Sequence, residues 1–411
     1  MSVIIIGTLD TKGAEIGFAR DVLNAKGVDV HLVDTGVMED PDIEPDTTAA
    51  AVAEAGGSTL SELREQGDRG EAMEVMGDGA ASIVSRLHEE GSLDGVLGLG
   101  GSGNTSIATA AMRALPYGVP KLMVSTMASG DVRPYVESRD IMMLYSVADI
   151  EGLNQLSRLV ISNAALAMVG MVTNDPGVDV EDRPTIGITM FGVTTPCVKT
   201  ARAYLEERGY ETIVFHATGT GGQAMENLIK EGVIDGVLDV TTTEWADELV
   251  GGVLSAGPER LDAAAETGTP QVVSTGALDM VNFGAKDDVP ETFRDRHLHV
   301  HNPQVTLMRT TADECAELGR IIGEKLNAAT GPTALALPLG GVSLLDVEGE
   351  DFYDPEADHA LFEALRTTLD DHVELIESEA DINDEAFAET MAAKLDEYMR
   401  AAELAPASGD D

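Results

Sequence analysis

The sequence predicts an α/β fold of two duplicated Rossmann-like subdomains, each a doubly wound parallel sheet, with extra C-terminal helices. Three observations carry this. Short β-branched runs alternate with helical patterns along the chain. One series of segments occurs in both halves: strand, helix, "KGVDVHLVDTG" or "RGYETIVFHATG", then "LDGVL" or "IDGVL", then "VST". A length of 411 residues also exceeds what one ordinary core accommodates.

Taken in order, "SVIIIG" (2–7) reads as the first strand. "TLDTKG" leads from it into a helix over about 14–26, with Ile16, Ala19, Val22 and Leu23 on one face. "VDVHLVDTG" (28–36) is a second strand, and the Pro-, Asp- and Ala-rich residues 38–57 are an excursion. A helix near 71–90 precedes the strand "LDGVLGLG" (93–100), the helix "TSIATAAMRAL" (105–115) and the strand "PKLMVST" (120–126). The second half restarts with the strand "PTIGITMFG" (184–192), the helix 195–209 and the strand "YETIVFHATGTGG" (210–222). "IDGVLDVTTTE" (234–244) and "TPQVVSTGALD" (269–279) complete the parallel. The linker-like "NDPGVDVEDRP" (174–184) divides a nucleotide-binding domain, 1–180, from a second domain, 181–411. Beyond the repeat lie amphipathic helices at 356–369 and 385–403; Phe387, Met391, Leu395 and Met399 form a packing stripe on the latter. The end, "PASGDD", is expected to fray.

Charge narrows the function classes. Asp+Glu number 73 against 26 Lys+Arg, a net charge of −47 spread along most of the chain. That distribution fits a halophilic protein in a high-salt cytoplasm, where salt screens self-repulsion. It argues against nucleic acid or an anionic membrane as partner. No run of about 18 apolar residues is apparent, and "MSVIIIGTLDTKG" lacks a basic n-region, so a cytoplasmic location is expected. Cys197 and Cys315 lie far apart and suggest neither a zinc knuckle nor a disulfide scaffold.

The chemistry-bearing stretches are glycine-rich turns at strand ends, where doubly wound sheets bind ligands. "GLGGSGNT" (98–105) satisfies G-x-G-x-x-G through Gly98, Gly100 and Gly103. It also matches the Walker spacing, except that Asn104 stands in place of the lysine before Thr105. Gly100, Gly101 and Gly103 let backbone approach an anion, with Ser102, Asn104 and Thr105 as added donors; a plain packing turn is the alternative. In "GTLDTKG" (7–13), Lys12 could supply the missing charge, Asp10 could hold Mg²⁺, and Thr8 and Thr11 carry hydroxyls. Equally, Asp10 or Thr11 caps the helix and Lys12 is solvated. "STMASGD" (125–131) brings Ser125 and Thr126 to the next strand end. In the second half, Thr218, Gly219, Thr220 and Gly221 form another candidate anion nest. "RHLHVHNPQVTLMRTT" (296–311) sets His297, His299 and His301 on one side of a strand, a metal set or a polar cleft strand. His301, Asn302 and Arg309 are candidates to meet a small metabolite. No Ser-His-Asp order, H-E-x-x-H or nucleophile elbow is present.

"GTLDTKG", "GLGGSGNT", "VSTMASGD", "FHATGTGGQAME", "HNPQVTLMRTT" and "LPLGGVSLLD…FYDPEADHALFEALR" together resemble a family of two-domain ATP-binding proteins. It is typified by the inhibitory N-terminal region of the tomato mosaic virus resistance protein and has many uncharacterised microbial members. The resemblance implies two Rossmann-like subdomains, a homodimer, and ATP with Mg²⁺ in the first subdomain. Carried onto matching positions, it implies ATP contacts from Thr8, Asp10, Thr11 and Lys12, from Gly100 to Thr105, and from Ser125 and Thr126. Three functions remain open: an ATP-using or ATP-gated protein acting on a metabolite in the interdomain cleft, a nucleotide-binding regulator or scaffold without turnover, and a metal-dependent enzyme using the histidine strand.

Overall fold

Apolar runs without alternation make strands buried on both faces, and the first half folds that way. The structure is a computed structural model that describes residues 1–174 and 183–406. The linker expected at 174–184 and the frayed end expected at 406–411 lie almost wholly outside the described residues. The chain divides into two compact units, Met1–Asp179 and Val180–Asp411.

The described residues of the first unit form a parallel sheet of β1 (Ser2–Gly7), β2 (Asp29–Asp34), β3 (Gly95–Gly100), β4 (Lys121–Ser125) and β5 (Met142–Tyr145). Its order is β2-β1-β3-β4-β5, so the winding direction reverses between β1 and β3. Alternate β1 residues feed opposite layers. Ile4 and Ile6 pack with Val96, Ala80 and Ile107 on one face, Val3 and Ile5 with Leu97, Ile16 and Ile161 on the other. The first helix runs Leu9–Asn24, so "TLDTKG" is not a loop before the helix but its first turn, with a non-helical Lys12 (φ −126, ψ 21). The excursion contains the short helix Ala49–Ala55, followed by helices Leu60–Gln66 and Arg69–Glu89.

Among the described residues, one helix, Gln155–Thr173, is long and apolar enough to cross a membrane by length and composition, with a mean hydropathy of 1.5. It corrects the expectation that no such run exists. Its inner face, Ile161, Ala164, Ala165 and Met168, packs against the first sheet, and this accounts for part of its apolar character.

The second unit repeats the topology. β6 (Thr185–Met190), β7 (Glu211–His216), β8 (Gly236–Thr241) and β9 (Gln271–Gly276) are parallel, with β6 between β7 and β8 as β1 lies between β2 and β3. An antiparallel sheet of β10 (Met280–Phe283), β11 (Leu298–Asn302) and β12 (Val305–Arg309), not expected from the sequence, follows β9. The tail is not a departure from the sheet: β13 (Thr333–Pro338) and β14 (Glu374–Ser378) extend it, giving the order β14-β13-β9-β8-β6-β7. The helix Glu385–Ala401 buries Phe387, Met391, Leu395 and Met399 completely or nearly so, as a packing stripe requires.

Candidate functional site

At the carboxyl edge of the first sheet, where the strand order reverses, the turns after β1 and β3 line one cavity of about 750 Å³. Gly101 is the N-cap of the helix Ser102–Arg113, and no side chain caps that end. Its first N–H groups therefore lack helical acceptors and carry the positive end of the helix dipole. Gly100, Gly101, Ser102 and Gly103 all line the cavity.

Asn104 and Thr105 are engaged in internal hydrogen bonds, and Asn104 also lines the cavity. Asn104 is buried; its Nδ2 donates to the carbonyls of Ile6 (3.2 Å) and Leu99 (2.6 Å), and its Oδ1 accepts from Thr35 Oγ1 (3.1 Å). It braces the ends of β1 and β3 against the residue following β2. A lysine there would bury an unpaired charge. Gly100 makes room for the brace, since a Cβ on it would stand 2.7 Å from that of Asn104. Thr105 Oγ1 donates to the Gly101 carbonyl and shares a hydrogen bond with buried Ser125 Oγ, which also accepts from Met127 N. Thr126 lies near Gly101, its Oγ1 3.8 Å from where a Cβ there would be.

The first turn is tied down as closely. Thr8 and Thr11 hydroxyls share a 2.8 Å hydrogen bond, and Leu9 N donates to Asp34 Oδ1. Asp10 Oδ2 accepts from Met38 N (3.1 Å) and Glu39 N (3.3 Å), while its Oδ1 is buried with no hydrogen-bond partner among the described residues. Asp10 thus anchors the 37–39 strap rather than capping its own helix. Lys12 lines the cavity, but its Nζ lies 2.5 Å from Glu151 Oε2, and this ammonium holds the Glu151 carboxyl below the usual range.

Two further cations in the wall escaped the sequence reading. Arg64 Nε donates to Val37 O (2.5 Å) and its Nη2 to Glu39 O (3.3 Å). Arg69 opens the helix Arg69–Glu89, whose cap is Asp68, and lines the cavity with Met73 one turn on. They come from the two helices that follow the excursion, Leu60–Gln66 and Arg69–Glu89, remote in sequence from either glycine turn. The only signal was the basic pair flanking "EQGD" in a lysine-poor chain.

In the second unit the candidate nest is filled by the protein itself. Gly219 N (2.7 Å) and Gly222 N (3.1 Å) donate to Glu244 Oε1, so those amides are not open to a ligand. Glu244 Oε2 accepts from buried Arg260 Nε (2.7 Å), whose guanidinium also forks onto Asp239 (2.5 and 2.7 Å) and reaches Glu226 (3.3 Å). Burial pushes the Glu244 and Glu226 carboxyls up, opposed by Arg260. Thr218 Oγ1 donates to the His216 carbonyl, Thr220 is exposed, and Gly221 sits directly against the His216 carbonyl.

Arg309 is buried and fully engaged within the second unit. It is 5% exposed, its Nη2 paired with Asp358 (2.6 Å) and Asp346 (3.2 Å) and its Nε with Phe352 O (2.8 Å). The three histidines do not converge. His297 Nε2 and His299 Nδ1 share Asp351 at 3.1 and 2.8 Å. The β11–β12 register slips between Val300 and Asn302, and His301 and Asn302 are exposed. Among the described residues no group of three or more His, Cys, Asp or Glu is arranged to hold a metal ion.

Residues 1–176 match the "Uncharacterised protein family (UPF0261) N-terminal domain" and residues 183–399 the corresponding C-terminal domain. A "UPF0261 protein" of Clostridium tetani is 55% identical over 97% of this chain and 98% of its own length. The "ToMV susceptible protein" of Solanum lycopersicum is 42% identical over 99% of this chain, which spans 56% of that protein. Among solved structures, a UDP-N-acetylglucosamine 2-epimerase from Rickettsia bellii aligns at 12% identity over 66% of this chain and 78% of its own, with a TM-score of 0.22, too low to bear on function.

Proposed function

The chain belongs to the uncharacterised protein family UPF0261, and from that premise we propose that its first unit binds ATP with Mg²⁺ at the ends of β1 and β3. The observation that carries this reading is the shared cavity: an uncapped helix N-terminus and the Thr8–Lys12 turn line it together. Its volume lies in the roughly 300–1,000 Å³ range of small-molecule sites. The sequence resemblance supports the same ligand. Thr8, Thr11 and the Gly101–Gly103 backbone would hold the phosphates, with the charge supplied by a cation of the cavity wall. Asp10 suits Mg²⁺, which commonly takes one protein carboxylate plus phosphate oxygens, because its Oδ1 is the partnerless one. When bound, the ion would neutralise phosphate charge. Asn104, Thr105 and Ser125 position these loops, and Asn104 also lines the cavity.

A nucleotide-gated regulator without turnover is a second reading, and one observation favours it. Both carboxylates lining the cavity are committed in this reading: Asp68 caps its helix, and Asp10 accepts two backbone amides through Oδ2 and is given to Mg²⁺ through Oδ1, which leaves neither as a general base. A small metabolite, acted on or sensed through His301 and Asn302 of the second unit, and a homodimer complete the proposal. Calorimetry in high salt with Mg²⁺ tests the core of it: ATP should release heat saturably at one site per chain, and NAD should not. No heat with ATP would refute the reading. ATP turnover, assayed with and without metabolites, separates enzyme from regulator.

A further inference from the structure

We infer that the cation reading the ligand's phosphates is Arg69, and that Lys12 is withheld from this role by Glu151. The inference rests on the nucleotide reading for the identity of the ligand. Lys12, Arg64 and Arg69 are the cations lining the cavity. Lys12 is neutralised by Glu151. The segment presenting Glu151 is closely constrained: Val147 has φ +67, unfavourable for a β-branched residue, and Gly152 N donates to buried Glu15. Arg64 directs Nε and Nη2 to the carbonyls of Val37 and Glu39, holding the strap.

Arg69 has no hydrogen-bond or ion-pair partner among the described residues. In a chain with 73 acidic and 26 basic residues this is unusual. Many exposed arginines elsewhere find carboxylates, as in Arg86–Glu90, Arg133–Asp131, Arg202–Glu206 and Arg320–Glu324, and exposed Arg158 stacks on the Phe18 ring. Its position sharpens the point. Arg69 Nη2 lies 3.5 Å, and Met73 Sδ 3.4 Å, from where a Cβ on Gly103 would stand. The guanidinium therefore lies over the first turn of the uncapped helix Ser102–Arg113, and Arg69 is also the first residue of its own helix. Two helix N-termini and a guanidinium converge here, and neither carboxylate lining the cavity pairs with Arg69: Asp68 Oδ1 takes the cap amides of its helix and Asp10 Oδ2 those of Met38 and Glu39. Such an arrangement repels itself until an anion enters. An arginine fork fits the paired oxygens of a phosphate group, and its place beside the glycine loop assigns it the phosphate end of a nucleoside polyphosphate.

The test measures Kd for ATP, ADP, AMP and adenosine in Arg69→Gln, Arg69→Lys, Lys12→Gln and wild type, with melting temperature as a check on folding. Wild-type affinity should rise with phosphate number. Arg69→Gln should weaken ATP by ~10–100-fold, the size of a charged hydrogen-bond pair, leave adenosine unchanged and flatten the series. Arg69→Lys should fall between, and Lys12→Gln should change ATP by less than about 3-fold, as for an exposed pair. If wild type binds ATP and Arg69→Gln keeps that affinity, or loses ATP and adenosine equally, the inference is overturned while the nucleotide reading stands. It is overturned in the same way if Lys12→Gln is the variant that flattens the series. If wild type binds none of the four, the nucleotide reading falls and this inference with it.

Discussion

Asn104 shows how one residue's role is set by its surroundings. Its position in a phosphate-loop pattern suggested a ligand contact, but its amide is consumed by two carbonyls and a hydroxyl at the ends of three chain segments. Asn104→Ala should therefore cost about 2–4 kcal/mol in urea unfolding, because several buried groups lose partners together. An unchanged midpoint would mean the brace is dispensable. Asp247 makes a pH-dependent case. It accepts from Asn282 N, Asn282 Nδ2 and Leu254 N, yet burial pushes it from 3.8 up to about 7. A carboxyl raised on folding contributes stability that is complete below its unfolded value and lost as pH rises through the folded one. Melting temperature should thus fall between about pH 4 and 7. Asp247→Asn should lessen that slope, since an amide stays neutral and can donate to the partnerless Asn282 Oδ1. Identical slopes in the two proteins would exclude Asp247 as a source. Neither role was legible in sequence, since hydrogen-bond partners about 35 to 98 residues away have no local signature.

The elements themselves were largely legible, and the failures are instructive. Strands buried on both faces announce themselves as apolar runs, so β1, β3, β4, β6, β8 and β9 were found close to their observed places. β14, "ELIES", carries three polar residues at the sheet edge and gave no such signal. The first helix was placed too late because glycine and β-branched threonine in "TLDTKG" are weak helix formers. Tertiary hydrogen bonds to Leu9 N and from the 38–39 amides to Asp10 hold that turn helical. The helix Thr220–Lys230 has the reverse history: its glycine-rich start looked open to an anion, and Glu244 fills it. A Cβ on Gly222 would overlap the Glu244 carboxylate. Gly222→Ala should expel that carboxylate from its amides and from Arg260, at a cost of about 3 kcal/mol or more, as for a broken buried ion pair. Calorimetric scanning should show the loss in the second unit's transition, with nucleotide binding by the first unit retained. A wild-type scan would show the carboxylate to be replaceable.

At the scale of the whole molecule, a net charge of −47 dominates the electrostatics. Self-repulsion of this size weakens as the screening length shrinks from about 10 Å at 0.1 M salt to about 3 Å at 1 M. Melting temperature should climb steeply when KCl is raised from about 0.1 to 1 M, whereas an uncharged osmolyte should give a smaller gain. Equal gains from both would count against screening and against the halophilic reading. The sequence by itself determined the α/β class, the duplication and the glycine turns at strand ends, because each is written in local periodicity and in a repeated order of segments. Only the tertiary structure decided which turn is open and which is filled, and which cation is free. Glu244 reaches the second nest from 25 residues away, Glu151 reaches Lys12 from 139, and Arg69 meets Gly103 across two packed helices. Pairing between charges depends on distance in space, and sequence separation carries almost none of that information.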